Sequence, residues 1–439
     1  MAMQSLLDRM SGVRTVDRKV PAELEPTRLL LEDQGVPLFF KNLNGGKAVG
    51  NVWSDRGRVE QALGLPSGGL TKALLNALAS PRPVEEVKKA GFEDMVTEKF
   101  DLMDLPIPKY YPEDGGRYVT AGVAIAEYEG KLNISFHRLM VMPGNKFAIR
   151  LVPRHLFTMH KLAKEKGQDL KVAFVIGTCP SVLLAGATST DYEVNELEIA
   201  SALRFIGLKE GLKVRRTKYG LPVPADADYV LEGRLTSEMV DEGPFVDISG
   251  TYDVVRKQPV FQVDRLYRRK DAVFHLVLPG GLEHYLLMGL PREPVIFKTV
   301  RQVVPRIHAV RLTEGGCCWL HGVISITKNK EGDAMNAAMA AFSGHPSMKQ
   351  VIVVDKDIDI YDDRQVEWAV ATRFQASRGL LVVNNAAGSS LDPSTEGTTS
   401  KVAIDATMPL GDQSVFLKAV LNEGKGGDGD SPPGPLSSC

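Results

Sequence analysis

Apolar residues come in short runs along this chain, and the period of those runs changes twice. In the first hundred residues Leu38-Phe39-Phe40 reads as a short strand and Gly69 to Ser80 as a helix, a mixed α/β texture. Pro106, Pro108 and Pro112 then mark a turn-rich connection where such a unit would end. From Tyr118 onward the pattern predicts strands over 119–128, 132–141, 147–152 and 172–176, then over 214–217, 229–235, 260–267 and 274–278. Helical spacing interrupts them at His155 to Lys166 and at Val194 to Phe205. Many short strands with inserted helices point to a barrel-like sheet rather than a doubly wound one. The last third alternates, with strands over 309–312, 322–327, 351–354 and 380–383 and helices over 334–342 and 364–374.

The expected organisation is α/β. An N-terminal α/β domain covers 1–105, a barrel-like domain 106–305 and a C-terminal α/β domain 306–423. The Gly, Pro and Ser content of the tail over 424–439 predicts disorder.

Composition narrows the classes. A chain of 439 residues suits about three domains of ordinary size. Lys plus Arg total 53 and Asp plus Glu 54, a balance that argues against a nucleic-acid partner. No apolar h-region follows Asp8, Arg9 and Arg14, and no apolar run approaches the roughly 18 residues of a membrane span. Cys179, Cys317, Cys318 and Cys439 have no CxxC spacing, which fits free thiols in a reducing cytoplasm.

Several residues could carry chemistry. Glu196 precedes Ile199, Ala200 and Leu203 by three, four and seven positions, so it shares their apolar helical face. A carboxylate there is costly unless paired or metal-bound, although a structural ion pair or a helix-rim position explains it too. The strand-like string Asn133-Ile-Ser-Phe-His-Arg138 offers a neutral carbonyl oxygen and a planar guanidinium fork, or simply a solvated edge. Asn133 and Arg138 are five apart, so only a bulge or bend would let them share a site. In Glu242-Gly-Pro-Phe-Val-Asp247 a turn could bring two acids to one pocket and raise one pKa, unless it is a solvated acidic turn. His155 opens a helix, where a structural role is the commoner one. Residues 388–401 form a small-residue loop ending in Lys401, either a phosphate cradle or a plain surface loop. GxGxxG, HExxH and GxSxG are absent.

Taken in order, the strings TAGVAIAEYEGKLNISFHRLMV, IRLVPRH, NELEIASALRF, VPADADYVLEGRL, EGPFVDISGTY, VDKDIDIYD, VEWAVATRF and SKVAIDATMP resemble the UbiD family of decarboxylases, which use prenylated FMN. The resemblance implies an N-terminal α/β domain, a central split β-barrel holding the flavin, and a C-terminal α/β domain that contributes to a homodimer or homohexamer. It implies that Asn133, His155 and Glu196 bind Mn²⁺ or Mg²⁺ beside the cofactor phosphate, with K⁺ as an added expectation. Arg138, Glu242 and Asp247 match the family's arginine–acid–acid network, Asp247 being the proton donor. Asn133, Ser135, Phe136, His137, Arg138, Arg150, Arg154, His155 and Lys401 match cofactor contacts. Val246 stands where Gly is common, and Arg154 where some relatives have Gln.

The implied reaction removes CO₂ from an α,β-unsaturated acid, with the modified flavin as electron sink. A separate flavin prenyltransferase would supply the cofactor. The chain's length is similar to that of compact archaeal members, which implies trans-anhydromevalonate 5-phosphate as substrate and isopentenyl phosphate as product. Alternative readings are an aromatic acid such as a hydroxybenzoate, and a flavin-binding split-barrel reductase. A purely structural assembly protein leaves Glu196 on an apolar face unexplained.

Overall fold

The computed structural model describes residues 2–395, 397–411, 413–416 and 419. The tail from Gly424, with Cys439, lies outside the described residues. Among those described, no helix is long and apolar enough to cross a membrane.

The central element is a nine-stranded antiparallel sheet. Its path runs Tyr118–Val119, Leu139–Met142, Lys146–Ile149, Arg256–Arg268, Tyr229–Glu242, Leu170–Ile176, Val123–Tyr128, Lys131–Phe136, with Met95–Thr97 also paired to Arg256–Arg268. Strand alternation sorts side chains into two cores. Val172, Phe174 and Ile176 join the core that includes Leu156, Met159 and Ala163 of helix His155–Glu165. Ala173 and Val175 join the opposite core, with residues of helices Pro180–Ala187 and Glu196–Leu208.

The strand expected over 132–141 is broken. Lys131–Phe136 ends one side of the sheet, and Leu139–Met142 lies near the other end of the path. Only His137 and Arg138 join them in sequence, so the sheet curls until its two ends approach. The path stays open: no described strand closes it into a hydrogen-bonded barrel. This seam supplies the bend that Asn133 and Arg138 require.

Two expected barrel strands belong elsewhere. Phe274–Leu276 pairs in parallel with Gly46–Gly50 and completes a four-stranded sheet with Arg14–Val20 and Leu38–Leu43. Lys213–Arg216 pairs with Pro222–Pro224 and Glu85–Glu86 in a separate three-stranded sheet. Short apolar runs signal a strand but not its partner, and these find theirs in sheets that include N-terminal segments. The expected helix over 69–80 is observed at Leu70–Ala79.

The C-terminal unit is a five-stranded sheet, ordered Ile307–Leu312, His321–Ile326, Gln350–Asp355, Thr398–Ala406, Leu380–Ala387. The fourth of these corrects the reading of 388–401 as a loop. Thr399, Lys401 and Ala403 are buried at alternate positions, so Lys401 is a strand residue.

Candidate active site

A cavity of about 910 Å³ opens at the seam. Every candidate residue named from the sequence lines it except Glu242 and Lys401. Glu242 is fully buried behind Arg138. Lys401 does not line the cavity: its ammonium donates to the carbonyls of Pro346 and Met348.

Arg138 is the most heavily engaged group. Its Nε donates to Glu242 Oε1 at 2.9 Å and its Nη2 to Glu242 Oε2 at 3.0 Å. Nη1 donates to Asp247 Oδ2 at 2.8 Å, and Nη2 also to Asp253 Oδ2 at 3.0 Å. The guanidinium lies 4.7 Å from the centre of the Phe245 ring. Burial alone would lower its pKa, but the Glu242 hydrogen bonds and the charges of Glu242, Asp247 and Asp253 raise it. Glu242 ends the long strand Tyr229–Glu242, and Gly243-Pro244 turns the chain so that Asp247 reaches the same guanidinium. Gly243 has φ +101°, and a Cβ there would sit 3.1 Å from the Val254 carbonyl, so a residue with a side chain would be strained.

Glu196 is the first residue of helix Glu196–Leu208, capped by the Asn195 side chain accepting from the Leu197 N–H. Its face is buried as the spacing predicts, and Glu196 itself is only 2% exposed. Oε1 accepts from Asn133 Nδ2 at 3.2 Å and Thr190 Oγ1 at 2.9 Å, and Oε2 from the Ile134 N–H at 3.1 Å. His155 Nδ1 stands 3.6 Å from Oε1. Burial raises the carboxyl pKa; the Ile134 and Thr190 hydrogen bonds and the His155 charge oppose that rise.

Asn133 Oδ1 faces the Ser135 hydroxyl at 3.1 Å, and that hydroxyl also lies 2.9 Å from His137 Nε2. Burial pulls the His137 pKa down to about 4. The ring is therefore neutral, with its proton on Nδ1 donated to the Arg150 carbonyl at 2.9 Å. The single Ser135 proton thus has two acceptors, Asn133 Oδ1 and His137 Nε2. A cation taking Asn133 Oδ1 would leave that proton for His137. Among the described residues no group of three or more His, Cys, Asp or Glu is placed to hold a metal. The donors that converge here are one carboxylate, one imidazole and one amide.

Among the cavity residues that escaped the sequence reading are Asp253, His284, Arg292 and Trp319. Asp253 also pairs with Arg256 and stands 3.8 Å from Arg150 Nε. His284 Nδ1 accepts from the Gly280 N–H at 3.2 Å, so its proton is on Nε2. Burial lowers its pKa, with Asp247 opposing and Arg138 assisting. Asp253, six residues past Asp247 in an acid-rich turn, was the one with a local signal.

The cavity thus brings together an arginine–carboxylate cluster and a carboxylate–imidazole–amide set. Family models of 3-octaprenyl-4-hydroxybenzoate carboxy-lyase match the chain in three parts. The N-terminal domain matches residues 5–78, the Rift-related domain 84–282 and the C-terminal domain 285–406. The chain belongs to the UbiD family of carboxy-lyases. It is 42% identical over 412 residues to the anhydromevalonate phosphate decarboxylase of Methanosarcina mazei, covering 93% of this chain and 96% of that protein. The Aeropyrum pernix protein of the same name is 42% identical over 415 residues, 93% of each chain. Among solved structures, the UbiD-class enzyme HmfF from Pelotomaculum thermopropionicum in complex with FMN superimposes with a TM-score of 0.92. That pair is 35% identical, covering 97% of this chain and 98% of that one.

Proposed function

We propose that this chain is a prenylated-FMN-dependent decarboxylase acting on trans-anhydromevalonate 5-phosphate, an α,β-unsaturated acid, to give isopentenyl phosphate in an archaeal mevalonate route. The observation that carries the reading is Arg138, held among three carboxylates at the wall of a cavity sized for a cofactor and a small acid. Near-complete coverage by relatives named for that reaction supports the choice of substrate over an aromatic acid.

Prenylated FMN, when bound, supplies the electron sink for the carbanion that CO₂ leaves behind. On this reading the curled sheet is the split barrel that cups the flavin. Asn133, His155 and Glu196 would hold Mn²⁺ or Mg²⁺, since oxygen and imidazole donors suit those ions, and the ion would supply charge for the cofactor phosphate. Ser135, Phe136, His137 and Arg150 line the cofactor's side of the cavity.

A guanidinium has five N–H donors, and the three acids take four of Arg138's. The fifth, on Nη1, is left to orient the substrate carboxylate. Glu242 fixes the plane of the guanidinium through two parallel hydrogen bonds. Asp253 holds its other edge. Asp247, the acid most open to the cavity at 20% side-chain exposure, delivers a proton to the carbon that CO₂ vacates. A flavin prenyltransferase supplies the cofactor, and copies of the chain associate as a homodimer or homohexamer. Leu380 and Val382, about half-exposed on the edge strand of the C-terminal sheet, suit such an interface.

The test is Asp247→Asn. The variant is expected to retain flavin and metal while turnover falls below about one-thousandth of wild type, the range for loss of a proton donor. Full activity in that variant would remove Asp247 from the mechanism.

A further inference from the structure

The cavity also holds a pair of guanidiniums that the steps above leave without a task. Arg154 immediately precedes helix His155–Glu165, and Arg292 lies between helices Leu282–Gly289 and Glu293–Val303. Both donate to one oxygen, Arg154 Nη1 at 2.7 Å and Arg292 Nη1 at 2.5 Å from Ser189 Oγ. Among the described residues neither forms an ion pair with a carboxylate. The remaining donors of Arg292 are poorly used: Nη2 reaches the Ala187 carbonyl at 3.5 Å, and buried Nε has no partner. Burial, and then the charge of Arg154, pull the Arg292 pKa down to about 10. Neutral groups finish the surroundings. The Trp319 ring lies 5.3 Å from the guanidinium, and Ser347 and Ser389 reach the cavity from the C-terminal unit.

Two cations sharing one hydroxyl, with unspent donors and no counter-charge, are destabilised until an anion with several acceptor oxygens sits between them. A phosphate monoester meets that description. A ligand touching Arg138 with a carboxylate and Arg292 with a second anion carries two anionic groups in one small molecule.

We propose that Arg292, assisted by Arg154, anchors the phosphate monoester of the substrate. The proposal rests on the decarboxylase reading above, and it names the residues that select a phosphorylated acid over an aromatic one.

The test is a titration of flavin-loaded enzyme with isopentenyl phosphate, followed by calorimetry, for wild type, Arg292→Gln and Arg292→Lys. Arg292→Gln is expected to raise Kd roughly thirtyfold, with partial recovery in Arg292→Lys, as loss of a charge-assisted fork dictates. KM for the phosphorylated acid should rise by a similar factor while flavin content and melting temperature hold. Binding within twofold of wild type in Arg292→Gln overturns the proposal. Loss of flavin from an otherwise folded Arg292→Gln also overturns it, by giving the arginine to the cofactor phosphate. A wild-type enzyme that neither binds isopentenyl phosphate nor releases CO₂ from the phosphorylated acid overturns the parent reading instead.

Discussion

Arg138 shows how much a single residue's placement depends on the chain around it. It sits with His137 in the break between two strands, and its partners Glu242, Asp247 and Asp253 lie more than a hundred positions away. The grouping of Arg138 with Glu242 and Asp247 was legible only through the family resemblance, and the structure brings these three side chains together. The sharing of one site by Asn133 and Arg138 was not legible in their spacing, because regular alternation separates them. Lys401 was misread for a related reason. Thr398 to Lys401 is polar enough to look like a loop, and only its pairing with neighbouring strands reveals an inward-facing position. A pH prediction belongs at this scale. Burial, then the charges of Arg292, Lys401 and Arg154, hold the His345 pKa down at about 4, against the pull of the Trp319 carbonyl it donates to. The unfolded chain takes up that proton below about pH 6.5, so stability is complete above that value and is lost as pH falls toward 4. His345→Gln can keep a donor to Trp319 without titrating. Urea unfolding should therefore show wild type losing about 2 kcal/mol more than the variant between pH 7 and pH 5. Parallel losses in the two proteins would contradict the assignment.

Elements were legible where their period was clean. Helix Glu196–Leu208 carries a one-sided apolar pattern that by itself places Glu196 on the buried face. Helix Pro180–Ala187 is apolar and buried all round, so periodicity offered nothing to read. The Glu196 helix also binds the N-terminal segment to the site through a close backbone approach. A Cβ at Gly207 would lie 1.8 Å from the Leu63 carbonyl oxygen, which no rotamer change can relieve. Gly207→Ala is expected to destabilise the protein by about 2 kcal/mol or more, against the small gain alanine brings to an exposed helix interior. A denaturation midpoint that stays level or rises would show that the two elements can separate without cost.

At the scale of the whole molecule, the three segments are interleaved more than a linear reading suggests. Strand Phe274–Leu276 completes the N-terminal sheet, and Arg56 of the N-terminal segment pairs with buried Glu293 at 2.6 Å. Glu293 Oε1 also accepts from the Leu312 N–H, which opens onto the C-terminal sheet. Such long-range pairings leave no local trace in composition or period, which is why the fold class was legible and the assignment of individual strands to sheets was not. The cavity inherits this interleaving, since the curled sheet, its seam and the hairpin that follows Glu242 supply the acids and arginine while C-terminal segments supply Trp319 and Ser389. The most direct measurement incubates enzyme loaded with prenylated FMN with trans-anhydromevalonate 5-phosphate, without oxygen, and follows phosphorus-31 resonances alongside released CO₂. Isopentenyl phosphate and CO₂ forming in equal amounts is the predicted result. An unchanged substrate spectrum, under conditions where the same preparation decarboxylates a hydroxybenzoate, would contradict it.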